Sequence, residues 1–181
     1  MSCALTQGYT RKVCKDPSGV KSVLIGEWSN VVWSDATKYA LTANVVTTLT
    51  MSVGKQMWRF AQAPGVANFK CTGKGNATSG GYGYDITGTM QTPDMGTLTI
   101  EQNALLTKNN LFVIAELQNG DYYLYGQEYG LDAIDDNDTG TAMDDFKGDI
   151  ITFAGMATIK PKKVNSALIA VLLAPAAGVA P

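Results

Sequence analysis

Histidine is missing from all 181 residues, which removes the commonest general base and a favoured metal ligand together. Three cysteines, Cys3, Cys14 and Cys71, make an odd set without C-x-x-C spacing. A zinc site is therefore not expected, and reduced thiols are the default, with a Cys3 to Cys14 disulfide as the open alternative. Charged residues amount to only 17%, below the ~25% of an average soluble domain. So little charge points to surface spent on contacts. The apolar run ALIAVLLA near the C-terminus is soon interrupted by Pro175 and Gly178, short of the ~20 residues a spanning helix needs. No membrane insertion is expected. The opening MSCALTQGYTRKVCK holds no apolar core segment before Arg11 and Lys12, and reads as carrying no secretory signal.

What is present favours strands. Threonine occurs 19 times, beside many valines, isoleucines and aromatics, and long helical periodicity is scarce. The length suits one domain with a sizeable core. Strands are predicted over Val20 to Trp28, over Leu41 to Val53 as one strand or a bent pair, and over Gln56 to Ala61. Asp85 to Thr92, Gly96 to Ile100 and Asp149 to Lys160 follow, the last with Ile151, Phe153, Ala157 and Ile159 sharing a face. Glu101 to Asn109 is the best short helix, and the glycine-dense Thr72 to Tyr84 reads as a long loop or a hairpin tip. Lys160-Pro161-Lys162-Lys163 is read as the end of the fold, so 1–163 forms the β domain and 164–181 an apolar arm. The arm is expected to dock on a neighbouring subunit through Leu168, Ile169 and Leu172, and its removal to spare the fold.

The segment LFVIAELQNGDYYLYGQEYGLDA, Leu111 to Ala133, predicts a hairpin turning at Asn119-Gly120, a pair suited to a type I′ turn. That register opposes Leu117 to Tyr122 and Ala115 to Leu124 on a core face. The other face then carries Phe112, Ile114, Tyr123 and Tyr125, aromatics suited to a subunit contact or to a second layer of the same domain.

Motifs for phosphate and calcium fall short. Around Lys74 the first glycine of a Walker loop is replaced by Asn68, and Gly75 stands where Ser or Thr should hold magnesium. The sequons at Asn76 and Asn137 carry little weight without a secretory signal. The stretch LDAIDDNDTGTAMDDFKGD holds seven of the sixteen acidic residues. An EF-hand register starting at Asp135 puts Phe146 where a bidentate Glu belongs. A looser calcium site or a carboxylate pair for glycoside hydrolysis is conceivable, but a solvated loop is the simpler reading. No cofactor is expected.

Several pieces stand in a distinctive order. SCALTQGYTRKVCKDPSGVKSVLIGEWSNV opens the chain, followed by Ala104-Leu105-Leu106, Leu111 to Leu117, the Asn119-Gly120 turn, the aromatic Tyr122 to Leu131, and Thr139 to Gly148. This order resembles the tail tube proteins, and related ring proteins, of tailed bacteriophages that infect Bacteroidetes. The resemblance implies an antiparallel β-sandwich or barrel with one short flanking helix and long loops. It also implies a homo-oligomeric ring, commonly a hexamer, stacked around a channel for DNA. The partners implied are other tail or portal-connector proteins, in a virion assembled in the host cytoplasm. A connector or terminator subunit is a variant of this reading. The channel-lining candidates are Asp135, Asp136, Asp138, Asp144 and Asp145, because an acidic wall would not hold DNA phosphates. The rival from another class is a ligand- or glycan-binding β-sandwich using Trp28, Trp33 and Trp58. An enzyme is not expected.

Overall fold

The computed structural model describes residues 17–76, 78, 80–93, 96–142 and 145–174. The strands are β1 (Val20–Glu27), β2 (Tyr39–Thr42), β3 (Val45–Leu49), β4 (Trp58–Ala61), β5 (Asn68–Gly75), β6 (Tyr82–Thr92), β7 (Leu111–Leu117), β8 (Tyr122–Tyr125), β9 (Asp132–Asp138), β10 (Gly148–Ala157) and β11 (Lys162–Val164). Helix α1 (Thr97–Leu106) lies between β6 and β7, and α2 (Ala167–Leu173) follows β11. The fold is mainly β, as expected, and among the described residues it has two short helices rather than one. A seven-stranded sheet runs β2-β3-β11-β8-β7-β1-β4, and a four-stranded sheet runs β5-β6-β10-β9. All pairings are antiparallel except β11 with β3.

Two strands explain the layering. Val23, Leu24 and Ile25 of β1, and Phe112, Val113, Ile114 and Ala115 of β7, are all buried. Successive strand residues point to opposite faces, so such runs need cover on both sides. The first core lies against the four-stranded sheet, where Val23, Ile25, Val113 and Ala115 meet Ile86, Met90, Ile151 and Phe153. The second lies on the opposite face, where Leu24, Phe112, Ile114 and Leu124 meet Leu49, Met57, Ile169 and Leu172. At Gly26 an added Cβ would sit 2.6 Å from the Phe112 ring, so only glycine lets that ring lie flat on the strand.

The hairpin register differs from the expected one by a single residue. Gly120 N–H donates to Leu117 O at 3.0 Å and Leu117 N–H to Asp121 O at 2.8 Å. Gly120 has φ +82, while Asn119 is not among the positive-φ residues. This is a type I turn closed by a left-handed glycine, a three-residue connection. Observed pairs are Ala115 with Tyr123, Ile114 with Leu124 and Val113 with Tyr125. The shift separates the residues grouped for a subunit contact. Phe112 and Ile114 are fully buried in the second core, whereas Tyr125 packs on the first and Tyr123 is half-buried on that same face. The second layer that covers Phe112 and Ile114 belongs to the same chain. A type I′ turn does occur at Ala43-Asn44, with φ of 50 and 64, joining β2 to β3.

Four further expectations are corrected. Gly96 to Ile100 is not a strand; the helix begins at Thr97 and ends at Leu106, because Leu106 is drawn onto the first core and tertiary packing overrides β-branched propensity. Part of the acidic loop is strand β9, paired along its length with β10. Lys162 and Lys163 do not end the fold, since β11 fills the gap between β3 and β8. The boundary at 163/164 therefore cuts through a strand. The arm is not free to serve a neighbour through its main apolar residues. Ile169 and Leu172 are buried in the protomer's second core, with Leu168 packed beside them, and Leu172 O accepts from Met57 N–H at 2.8 Å.

One charge is built into the second face. Glu116, 5% exposed, accepts from Ser22 Oγ at 2.5 Å and Lys21 Nζ at 3.2 Å, with Arg59 at 3.4 Å. Burial alone would raise its pKa. The Ser22 and Lys21 hydrogen bonds and the charges of Arg59 and Lys21 outweigh that and hold it below the ordinary glutamate value.

Three stability tests probe this packing. Leu172→Ala should cost ~2–5 kcal/mol in urea unfolding, and deletion of 165–181 should destroy the second core rather than leave a folded domain. For Glu116 the folded pKa lies below the unfolded one, so its stabilisation is complete above the usual glutamate range and is lost as pH falls through the depressed value. Urea unfolding of Glu116→Gln at stepped pH should show a loss of ~1–3 kcal/mol near neutrality and a flatter acid limb.

Candidate functional site

The four-stranded sheet buries one face and leaves the other open among the described residues. Register assigns Asn68, Lys70, Thr72 and Lys74 of β5 to the outward face, with Asp85, Thr87, Thr89 and Gln91 of β6. From β10 and β9 come Ile150, Thr152, Ala154 and Met156, and Asp132, Ile134, Asp136 and Asp138. The two edge strands differ sharply in charge. β5 carries Lys70 and Lys74 and no acid, while β9 carries four aspartates and no base. Lys74 also pairs with Asp85 across the β5–β6 ladder. Among the described residues both edges have one neighbour only, and charge on an exposed edge discourages indiscriminate strand addition.

The acidic candidates therefore scatter over different environments. Asp136 and Asp138 lie on the outward row, and Asp138 Oδ1 also accepts from Gly140 N–H at 2.9 Å. Asp145 Oδ2 accepts from Thr141 and Ala142 N–H at 2.8 and 2.6 Å, and these backbone bonds lower its pKa. It is a loop brace. Asp135 points the other way, toward the first core. Asp144, Cys3 and Cys14 lie outside the described residues, as does most of the opening segment.

Apolar exposure collects elsewhere than on the hairpin tyrosines. Tyr82, Tyr129 and Met156, 68, 64 and 71% exposed, line a shallow depression of about 550 Å³ with Asp132 and Ala154. Ile134 on β9 is 63% exposed. Tyr125, by contrast, has its phenol pKa pushed up to about 12 by burial first, then by Cys71 and Tyr123. Nothing in the spacing of Tyr82, Tyr129 and Met156 joins them before the fold is known.

A larger cleft of about 970 Å³ runs between α1 and the β4 edge. Its wall includes Trp58, Arg59, Gln56, Gln102, Asn103 and Asn109. Trp58 is 63% exposed, which suits an aromatic platform flanked by amides. The other two tryptophans are structural. Trp28 and Trp33 stack with centroids 6.2 Å apart, Trp33 meets Phe112 edge-on at 5.1 Å, and their indole N–H groups donate to Gln127 O and Trp28 O.

Comparison with family models, curated proteins and solved structures finds no match to the chain. No described helix is long and apolar enough to cross a membrane. Among the described residues no three Cys, Asp or Glu side chains are grouped to hold a metal.

The tryptophans give a direct check on this partition. Trp33→Ala should cost on the order of 3 kcal/mol in chemical denaturation. Trp58→Ala should stay within ~0.5 kcal/mol of the parent protein.

Proposed function

We propose that the protein is a non-enzymatic virion structural subunit that self-assembles into rings or a tube forming part of a phage tail channel for DNA. The observation that carries this reading is the four-stranded sheet whose two edges are oppositely charged and unpaired among the described residues. Antiparallel order in β5-β6-β10-β9 makes the two edge strands run in opposite directions. A β9 edge meeting the β5 edge of a similarly oriented copy is then antiparallel, and the alternation continues around a closed ring. Such a contact is heterologous, as a ring requires, and places aspartates beside lysines. If the ring is hexameric, six four-stranded sheets make about 24 strands, and ~4.8 Å per strand gives a wall roughly 37 Å across before tilt.

The seven-stranded sheet packs on the inward face of the small one, so closure with the bulk outside turns the threonine-rich face toward the axis. That face has two lysines against four aspartates, Asp85, Asp132, Asp136 and Asp138. A wall without net positive charge gives DNA no grip by counterion release. Tyr82 and Tyr129 supply apolar area for contacts with further copies or with other tail and connector proteins, whereas Ile134 and Met156 belong to the row that would face the axis. Assembly would take place in the host cytoplasm.

Charge reversal tests the edge contact. Lys70→Glu with Lys74→Glu makes both edges acidic, and Asp132→Lys with Asp136→Lys reverses much of the acidic edge. Neither variant alone should form the rings or tubes seen by electron microscopy and mass measurement, whereas an equimolar mixture should recover them as alternating copies. A parent protein that is strictly monomeric and absent from virions would sink the proposal. A second reading rests on Trp58 in its amide-lined cleft: glycan-array binding lost in Trp58→Ala, without assembly, would favour a sugar-binding module.

A further inference from the structure

One end of the first core is lined with oxygen. Asp149 of β10, 1% exposed, stands opposite Thr92 of β6 and Asn137 of β9. All three share the inward face with Met90 and Ile151, one step along the ladder. Asn103 of α1, fully buried, closes the cluster by donating from Nδ2 to Asp149 Oδ2 at 2.6 Å. Asn137 Nδ2 donates to Asp149 Oδ1 at 2.5 Å. Asp135 lies opposite Ile151, which makes it a diagonal neighbour of Asp149 on the same face. Burial first, then Asp149 and Asp136, raise the Asp135 pKa.

Among the described residues, three buried oxygens here find no hydrogen-bond partner: Asn103 Oδ1, Thr92 Oγ1 and Asp135 Oδ1. Native interiors leave few such atoms unmatched, and each one calls for an explanation. Among the described residues no lysine or arginine forms an ion pair with Asp135 or Asp149. Among the described residues, a second carboxylate, an amide carbonyl and a hydroxyl therefore neighbour the buried Asp149, with acceptor capacity to spare and no paired lysine or arginine. Oxygen-only donors suit a hard cation, and their mixed type suits the flexible coordination of calcium better than the strict octahedron of magnesium. Thr92 and Asn103 also line the large cleft, which gives an ion a route from solvent.

We propose that this cluster binds a hard divalent cation of the calcium class, with Asp135, Asp149, Asn103 Oδ1 and Thr92 Oγ1 as protein donors and water completing the shell. The ion would tie α1 and the edge strand β9 to the centre of the four-stranded sheet. The site stands independently of the assembly reading. It also departs from the linear EF-hand spacing, since Thr92 and Asn103 come from outside the acidic stretch.

The full-length protein, stripped with EDTA and dialysed, would be titrated with calcium chloride by calorimetry and followed by thermal unfolding, with magnesium chloride in parallel. One saturable calcium per chain is expected, with Tm raised by roughly 5 °C or more at ~100-fold excess over Kd and a smaller response to magnesium. Asp135→Asn should abolish binding while raising the Tm of the metal-free protein, because it removes a buried charge facing Asp149. A lost signal then cannot be mistaken for misfolding. Glu101→Gln, an exposed acid on α1, should change neither. Absence of binding by the parent protein, or binding that survives Asp135→Asn, overturns the site. A metal-free protein stabilised by lowering the pH but indifferent to calcium assigns the neutralising charge to a proton, and overturns it as well.

Discussion

The pairing of β1 with β7 is the constraint on which the other layers depend. Val23 faces Ala115, Leu24 faces Ile114 and Ile25 faces Val113, and all six are buried. Each larger side chain gains ~1.5–3 kcal/mol from complete burial, but only if both faces of the ribbon are covered. The four-stranded sheet covers one. Over the other, among the described residues, lie the β2–β3 hairpin, the Trp28–Trp33 stack, Met57 and helix α2. The C-terminal apolar run is thus consumed inside the protomer, which removes both the aggregation hazard and the need for a neighbour to accept it.

The same doubly apolar strand explains why its register was hard to read. Register is well specified when one face is polar, because a slip of one residue turns the apolar set to water. In β7, Phe112 and Ile114 are as apolar as Val113 and Ala115, so a slip exchanges one buried set for another and pattern alone cannot choose. The choice then falls to the turn. Asn-Gly fits a two-residue type I′ turn, yet Gly120 fits the left-handed position of the three-residue turn equally well. The presence of a hairpin was legible, along with β1 and most of β10; its partnerships were not.

Legibility was lower still for the surface. An aspartate-rich segment argues against a strand, but β9 is an edge, where charge is tolerated and useful, and Ala133 turned inward anchors it to the core. Thr97 to Ile100 reads as strand for its β-branched residues, while the helix depends on contacts made by Leu106 and Asn103 far from that window. Exposed Tyr82, Tyr129 and Met156 come from three separate segments and become one patch only through the sheet. The tryptophans were conspicuous as a group, yet only the fold separates Trp58, which faces solvent, from the pair that braces Phe112.

Strand β9 is where the two proposed roles meet. Among the described residues it has a single neighbour, β10, and it carries aspartates on both sides: Asp132, Asp136 and Asp138 outward, Asp135 inward. Like charges along one edge repel, and the inward one also bears the cost of burial. Of the two edges of the small sheet, the acidic one is thus the more conditional. Lysines of an adjoining copy would neutralise its outward row, and a buried cation its inward row. Because both events favour the same paired state of β9, each would strengthen the other by the same factor. An isolated copy could then hold its acidic edge loosely, and the strand would become a firm template once cation and neighbour are both present. On this view the aspartates that would face the channel also make sheet extension depend on the charge that meets them.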